Sequence, residues 1–166
     1  MTQSIDTILV PLELTDHAQS IVDWALDWAS MKRARLILLH VLPPVHTYTS
    51  PVFADPVSYG EHYTGLREAA RERLLPLAYL AEAEGVSATV QIRIGSPAEQ
   101  ILAAASELGA GLIVLGTHGR RGLAHVMLGS TAEKVVRLAE CPVFVVKEMR
   151  TAKPVEKTAP HAATVG

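Results

Sequence analysis

Short, almost unbroken apolar runs alternate along the chain with longer segments of helical period. TILVPL at 7–12, RLILLHVL at 35–42, GLIVLG at 111–116 and PVFVV at 142–146 read as strands. Continuous apolar character is expected of parallel strands covered on both faces. The run ATVQIRI at 88–94 differs. There Val90, Ile92 and Ile94 alternate with Gln91 and Arg93, the signature of a half-exposed edge strand.

The segments between these runs carry helix signals. Asp16 is placed to cap a first helix, with Gln19 three residues on. Ala18, Ile21, Val22, Ala25, Leu26 and Ala29 then form one apolar stripe, with Trp24 and Trp28 as packing residues. A second helix is expected over about 65–84, with Leu66, Ala70, Leu77 and Ala81 on one side. Pro76 lies inside it and predicts a kink or a break. The third has Ser96 as N-cap, Pro97 at the first helical position, Glu99 to complete a capping box and Gly109 as C-cap. The last starts with another capping-box pattern, Ser130-Thr131-Ala132-Glu133, and runs to about Glu140.

Strands alternating with helices imply a parallel α/β sheet, helices on both faces and right-handed crossovers. Ligands in such folds bind beyond the carboxyl ends of the strands, where the strand order reverses. Two segments fall outside the pattern. Residues 43–64 read as a long loop, and long loops in compact domains usually carry function. The stretch 149–166, rich in Ala, Thr, Lys and Pro without apolar period, reads as a disordered tail after a domain spanning 1–148.

Composition narrows this picture. With 166 residues the chain fits one domain. Hydrophobic residues make up 49% and aromatics 5%, so the core must be aliphatic. A net charge of -2 argues against a dedicated nucleic-acid binder. Cys141 is the single cysteine, which excludes an intrachain disulfide and a cysteine-built zinc site. It reads as a small buried hydrophobe. No run approaches the roughly 20 apolar residues of a membrane span. MTQSIDT lacks the basic and apolar regions of a signal peptide, so a cytoplasmic protein is expected.

The chemically informative stretch is GTHGRRGLAHVMLGST at 116–131. Gly116 and Gly119 stand at a strand's carboxyl end, and Gly129 directly precedes a helix. Glycines let a backbone turn sharply and approach a ligand closely. A helix start offers N–H groups and positive potential to an anion. Arg120 and Arg121 add charge beside the turn. Together these are the parts of a phosphate cradle. The chain has no G-x-x-x-x-G-K-[ST] P-loop, and no G-x-G-x-x-G follows its first strand. His118 and His125 have no evident carboxylate partner and read as exposed loop residues. The seven histidines form no metal-ligand pattern.

At this point the sequence resembles the universal stress protein family. The nucleotide-binding branch of that family shows G-x2-G-x9-G-[ST], matched by Gly116, Gly119, Gly129 and Ser130. Further matching blocks are ILVPLELTDHA, Ile94-Gly95-Ser96-Pro97, GSTAEKVVR and CPVFVV, so the resemblance covers about 5–147. It implies a five-stranded parallel sheet of order 3-2-1-4-5, Rossmann-like and of the adenine nucleotide alpha hydrolase type. It also implies binding of ATP or a related adenine nucleotide, with Mg2+ as a possible companion ion. Pro11, Leu12 and Glu13 would sit near adenine and ribose, and Val41 would meet adenine through its backbone. Leu115, Gly116, Gly119, Arg120, Gly129, Ser130 and Thr131 would hold ribose and phosphates. Glu13 stands where the family usually has Asp, and Gly111 where Asp is common, which loosens the entry of the fourth strand.

Three functions are open to such a chain. It is read first as a nucleotide-dependent regulatory or stress-response protein without efficient catalysis. The alternative is a slow ATPase or self-phosphorylating enzyme, with Ser130 or Thr131 accepting phosphate and Glu13 assisting through a divalent ion. The third is a nucleotide-independent interaction module working through the loop at 43–64, where Tyr48, Phe53, Tyr59 and Tyr63 gather. The last strand is apolar and lies at a sheet edge in the implied order. A homodimer through 142–146 is therefore expected, as is common in the family.

Overall fold

The computed structural model describes residues 4–44, 56–117 and 128–147, the first four of the middle stretch by backbone alone. Five strands and four helices alternate: β1 (Thr7–Pro11), α1 (Ala18–Lys32), β2 (Arg35–Leu42), α2 (Pro56–Ala83), β3 (Ala88–Ile94), α3 (Pro97–Glu107), β4 (Leu112–Gly116), α4 (Ser130–Leu138) and β5 (Val143–Val146). All pairings are parallel, in the order β3-β2-β1-β4-β5. This is the expected α/β architecture. β2 and β3 occupy the expected residues, and the other strands differ by a residue at one end.

Strand residues alternate between two cores. Ile8, Val10, Leu36, Leu38, Leu112 and Val114 pack with α1 and α2 on one face. Leu9, Ile37, Leu39, Ile113 and Leu115 pack with α3 and α4 on the other. The apolar runs are unbroken because neither face of the central strands meets water. β3, at one edge, is only partly buried beyond Ala88, as its alternation predicts.

The helix boundaries correct several expectations. α2 starts at Pro56, so the segment 56–64 belongs to a helix and the connection after β2 is shorter than 43–64. Tyr63 explains the extension. Its side chain is 4% exposed and its hydroxyl donates to the Pro43 carbonyl at 3.0 Å. With Ala70, Leu74, Ala78 and Ala81 it continues one buried stripe, which outweighs the helix-disfavouring Gly60 and Gly65. Leu66, expected on that stripe, is exposed. The helix runs through Pro76 without a break. Pro76 and Glu72 are exposed, so water can take the carbonyl that loses its donor. Tyr48 and Phe53, and the side chain of Tyr59, lie outside the described residues.

Capping also differs. α1 is preceded by His17 rather than Asp16 at the N-cap, and α4 by Gly129 rather than Ser130. Ser96 and Pro97 hold the expected positions at α3, yet Ser96 makes no side-chain capping bond. Leu108 is its C-cap, and Gly109 follows with φ 60°. Gly111 does not loosen β4. A Cβ there would stand 3.0 Å from Ile5 Cα, so glycine lets the N-terminal segment pack against the strand entry.

Trp24 and Trp28 pack on Phe144 of β5, with ring centroids 5.7 and 5.9 Å apart. Cys141 is half-buried rather than fully buried, and burial pushes its thiol pKa up. No described helix is long and apolar enough to cross a membrane. The tail at 149–166 lies outside the described residues.

Candidate functional site

The strand order reverses at β1. The chain steps from β1 to β2 on one side, and returns from β3 to β4 on the other. The carboxyl ends of β1 and β4 therefore flank the crevice where open α/β sheets take ligands.

The three seams around that point differ. β1 and β2 stay paired from Thr7–Arg35 to Pro11–Leu39, and the Leu12 N–H then donates to the Leu39 carbonyl at 2.8 Å. β4 and β5 stay paired to Gly116–Val146, and the Thr117 N–H donates to the Val146 carbonyl at 3.1 Å. Between β1 and β4 the ladder is only Ile8–Leu112 and Leu9–Ile113. Both strands continue beyond it, to Pro11 and Gly116, without pairing to each other. The hydrogen-bond ladder is thus split at the reversal point, whereas the ladders on either side run on to the strand ends.

The split is bounded by two glycines with different tasks. A Cβ on Gly116 would lie 2.8 Å from Ile21 Cδ1, the tip of a flexible side chain, so a larger residue there would have to turn that tip aside. Gly129 has φ -60° and ψ 151°, which any residue adopts. Its requirement is space. Its N–H donates to the Thr117 carbonyl at 2.9 Å, and a Cβ would stand 3.1 Å from that same oxygen. This bond brings the two ends of the 118–127 segment together and sets the start of α4 at the mouth of the split.

The N-cap of α4 is Gly129, which has no side chain to cap the helix. The first N–H groups of α4, including those of Ser130 and Thr131, lack the side-chain acceptor that Ser, Thr or Asp at the N-cap would supply. The helix end carries roughly half a positive elementary charge. Such an end accepts an anion readily. α4 is held beside α3 by Lys134, whose Nζ donates to Glu99 Oε1 at 3.1 Å.

On the β1 side, Pro11 is half-buried, Leu12 buried and Glu13 exposed. The turn into α1 is closed by Thr15 N–H to the Glu13 carbonyl at 2.8 Å, and by Ala18 N–H to the Thr15 carbonyl at 3.2 Å. Val41 sits at the end of β2 and is half-buried. Leu115 is buried beneath the split. Thus Pro11, Leu12, Glu13, Val41, Leu115, Gly116, Gly129, Ser130 and Thr131 all lie at the carboxyl end of the sheet. Gly119, Arg120, Arg121, His118 and His125 lie outside the described residues.

One residue at this end escaped the sequence reading. His40 is 9% exposed, and its Nδ1 lies 2.8 Å from the Leu12 carbonyl oxygen. A carbonyl only accepts, so Nδ1 carries the proton. The signal was present: His40 is the one polar residue inside Leu36–Leu42. At the opposite end of the sheet a groove is lined by Leu102, Ala105, Cys141 and Pro142, away from these residues.

A family model described as universal stress protein family matches residues 4–147. This chain belongs to the universal stress protein family. A universal stress protein of Methanocaldococcus jannaschii is 42% identical over 143 residues, covering 85% of this chain and 81% of its own. One from Bacillus subtilis is 33% identical over 151 residues, covering 84% and 97%. A second M. jannaschii universal stress protein, 26% identical, shares the fold with a TM-score of 0.77, covering 90% of this chain and all of its own. Universal stress proteins solved with dAMP and with cAMP share the fold at TM-scores of 0.60 and 0.61 and identities of 20% and 23%. Their alignments cover 86% and 87% of this chain and 98% of each of theirs.

Proposed function

We propose that this universal stress protein binds ATP, or AMP or ADP, in the split between β1 and β4, and acts as a nucleotide-dependent regulator in the cytoplasm. The observation that carries the reading is the short β1–β4 ladder: its pairing stops before the two strand ends at the reversal point, where α4 starts from a glycine N-cap. Adenine and ribose would lie along Pro11–Glu13 and the Val41 backbone. The phosphates would meet the N-terminus of α4 at Gly129, Ser130 and Thr131, with Gly119 and Arg120 completing the motif. Complexes of family members with dAMP and cAMP agree with this ligand class.

The described residues hold no group of three or more His, Cys, Asp or Glu able to bind a metal. Any Mg2+ would then arrive with the phosphates. Copies of the chain would pair along β5, whose Phe144 and neighbouring Trp24 remain partly exposed at the sheet edge. A monomer across a wide concentration range in light scattering would remove that part of the reading. A partner that reads the nucleotide state would bind near the connection after β2. For the ligand, two measurements decide. Denaturing the purified protein should release an adenine nucleotide, and calorimetry of the stripped protein should show ATP binding. Absence of both overturns the reading.

A further inference from the structure

The two backbone groups of Leu12 are both held from β2, by different means. Its N–H follows the ladder to the Leu39 carbonyl, whereas its carbonyl meets the imidazole of His40 at 2.8 Å. In a parallel pair the N–H and C=O of one residue point to the same side, and residues alternate. Leu39 faces β1 through its carbonyl, so Val41 faces that side as well. A regular ladder would continue with Val41 N–H donating to the Leu12 carbonyl. The His40 ring donates there instead. Pairing thus ends on a side chain, at the residue where Glu13 leaves the sheet.

We propose that His40 is a positioning residue for the nucleotide site. Its imidazole ties down the Leu12 carbonyl, which sets the direction in which Glu13 departs and leaves the backbone edge of Val41 turned toward the ligand. The inference rests on the nucleotide reading above. It goes further in dividing the site into two independently held halves. His40 orients the base-and-ribose half. The Gly129–Thr117 bond orients the phosphate half, and it joins the residue after β4 to the N-cap of α4 without involving Leu12 or His40.

That division is testable on the full chain. ATP, 2′-deoxy-ATP, 3′-deoxy-ATP and AMP are titrated into the wild type, His40→Ala and His40→Gln by calorimetry. In the wild type, ATP should bind more tightly than at least one deoxy analogue, because Glu13 reads a ribose hydroxyl. In His40→Ala, ATP affinity should fall about five- to tenfold, the worth of one hydrogen bond. The preference over the deoxy analogue should collapse toward one, while the ratio of ATP to AMP affinity stays at the wild-type value. His40→Gln, which restores a donor, should recover part of the ribose preference. It also serves as the test if the alanine variant does not fold. A variant that keeps the full ribose preference overturns the positioning role and leaves the nucleotide reading intact. Equal loss of the ribose preference and of the ATP-to-AMP ratio also overturns it, since the damage is then general. A wild type that binds no adenine nucleotide overturns both.

Discussion

The two seams that flank β1 are built from the same residue types and end differently. Against β2 the strand is paired through Pro11, then through Leu12 and the His40 ring. Against β4 its ladder holds only Ile8 and Leu9, preceded by the Gly111 N–H donating to the Thr7 carbonyl at 2.9 Å. Both seams are lined by buried aliphatic side chains, among them Leu9, Leu39, Val10 and Val114. The difference is therefore topological. β1 and β2 are joined by a right-handed crossover through α1. β4 arrives from the far side of the sheet, and its carboxyl end is drawn to β5 and to the start of α4. A closed seam supplies stability, and an open one supplies a place for a ligand.

The largest test of this contrast is at the closed seam. Leu39 is fully buried opposite Pro11. Leu39→Ala should cost about 2–5 kcal/mol in denaturant unfolding, since it leaves a cavity in a packed core. A loss of less than about 1 kcal/mol would mean that this seam is not the tightly packed one.

At the open seam the effects should be smaller and fall on binding. Gly129→Ala sets a Cβ 3.1 Å from a backbone oxygen, and backbone cannot swing aside as a side chain can. It should cost about 1–3 kcal/mol of stability, as overpacking does. Calorimetry should show weaker ATP binding, because the start of α4 shifts. Unchanged affinity would separate Gly129 from the phosphate half.

Ser130→Asp should move stability and binding in opposite directions. A carboxylate in the first turn of α4 should raise stability by about 0.3–1 kcal/mol through the helix dipole. The same charge should repel phosphate and weaken ATP more than adenosine. A parallel change in both ligands would show that phosphate does not meet this helix end.

The smallest effect is expected outside both seams. Arg93 of β3 donates to Glu107 of α3 through both terminal guanidinium nitrogens, and these bonds hold the Glu107 carboxyl below the usual glutamate range. Its folded pKa is thus lower than its unfolded one. The contribution is present above the unfolded value and is lost as pH falls through the folded value. Glu107 is exposed, so solvent and salt screen the pair. Glu107→Gln should lower neutral-pH stability only slightly, flatten the acid limb by that same small amount, and leave nucleotide affinity unchanged. A clear loss at neutral pH would show that the pair does more than clamp an edge.

How much was legible in the sequence varies with the range of the forces involved. β2 and β3 read correctly because their patterns, one continuous and one alternating, report directly how many faces are covered. Helix starts read less well. Ser130 is the better capping residue by local preference, but Gly129 takes the position because its N–H reaches Thr117, twelve positions back. The early start of α2 was hidden for a similar reason. Gly60 and Gly65 suggest a loop, and only the burial of Tyr63 against Pro43 reverses that. For the candidate site, the glycine spacing pointed to the carboxyl end of β4 and the start of α4, where Gly116 and Gly129 lie. It did not distinguish Gly116, which makes room for Ile21, from Gly129, which makes room for a carbonyl.

The sequence by itself determined the α/β alternation, the aliphatic two-faced sheet and the glycine-framed connection between β4 and α4. All of these follow from local periodicity and from residue chemistry at fixed spacing. Only the tertiary structure decided that β1 and β4 part after Leu9 and Ile113, and that His40 closes the other seam through Leu12. Those outcomes depend on which strands become neighbours and where their ladders stop, and no local pattern encodes the end of a pairing between segments about a hundred residues apart in a chain whose contacts are mostly set by topology.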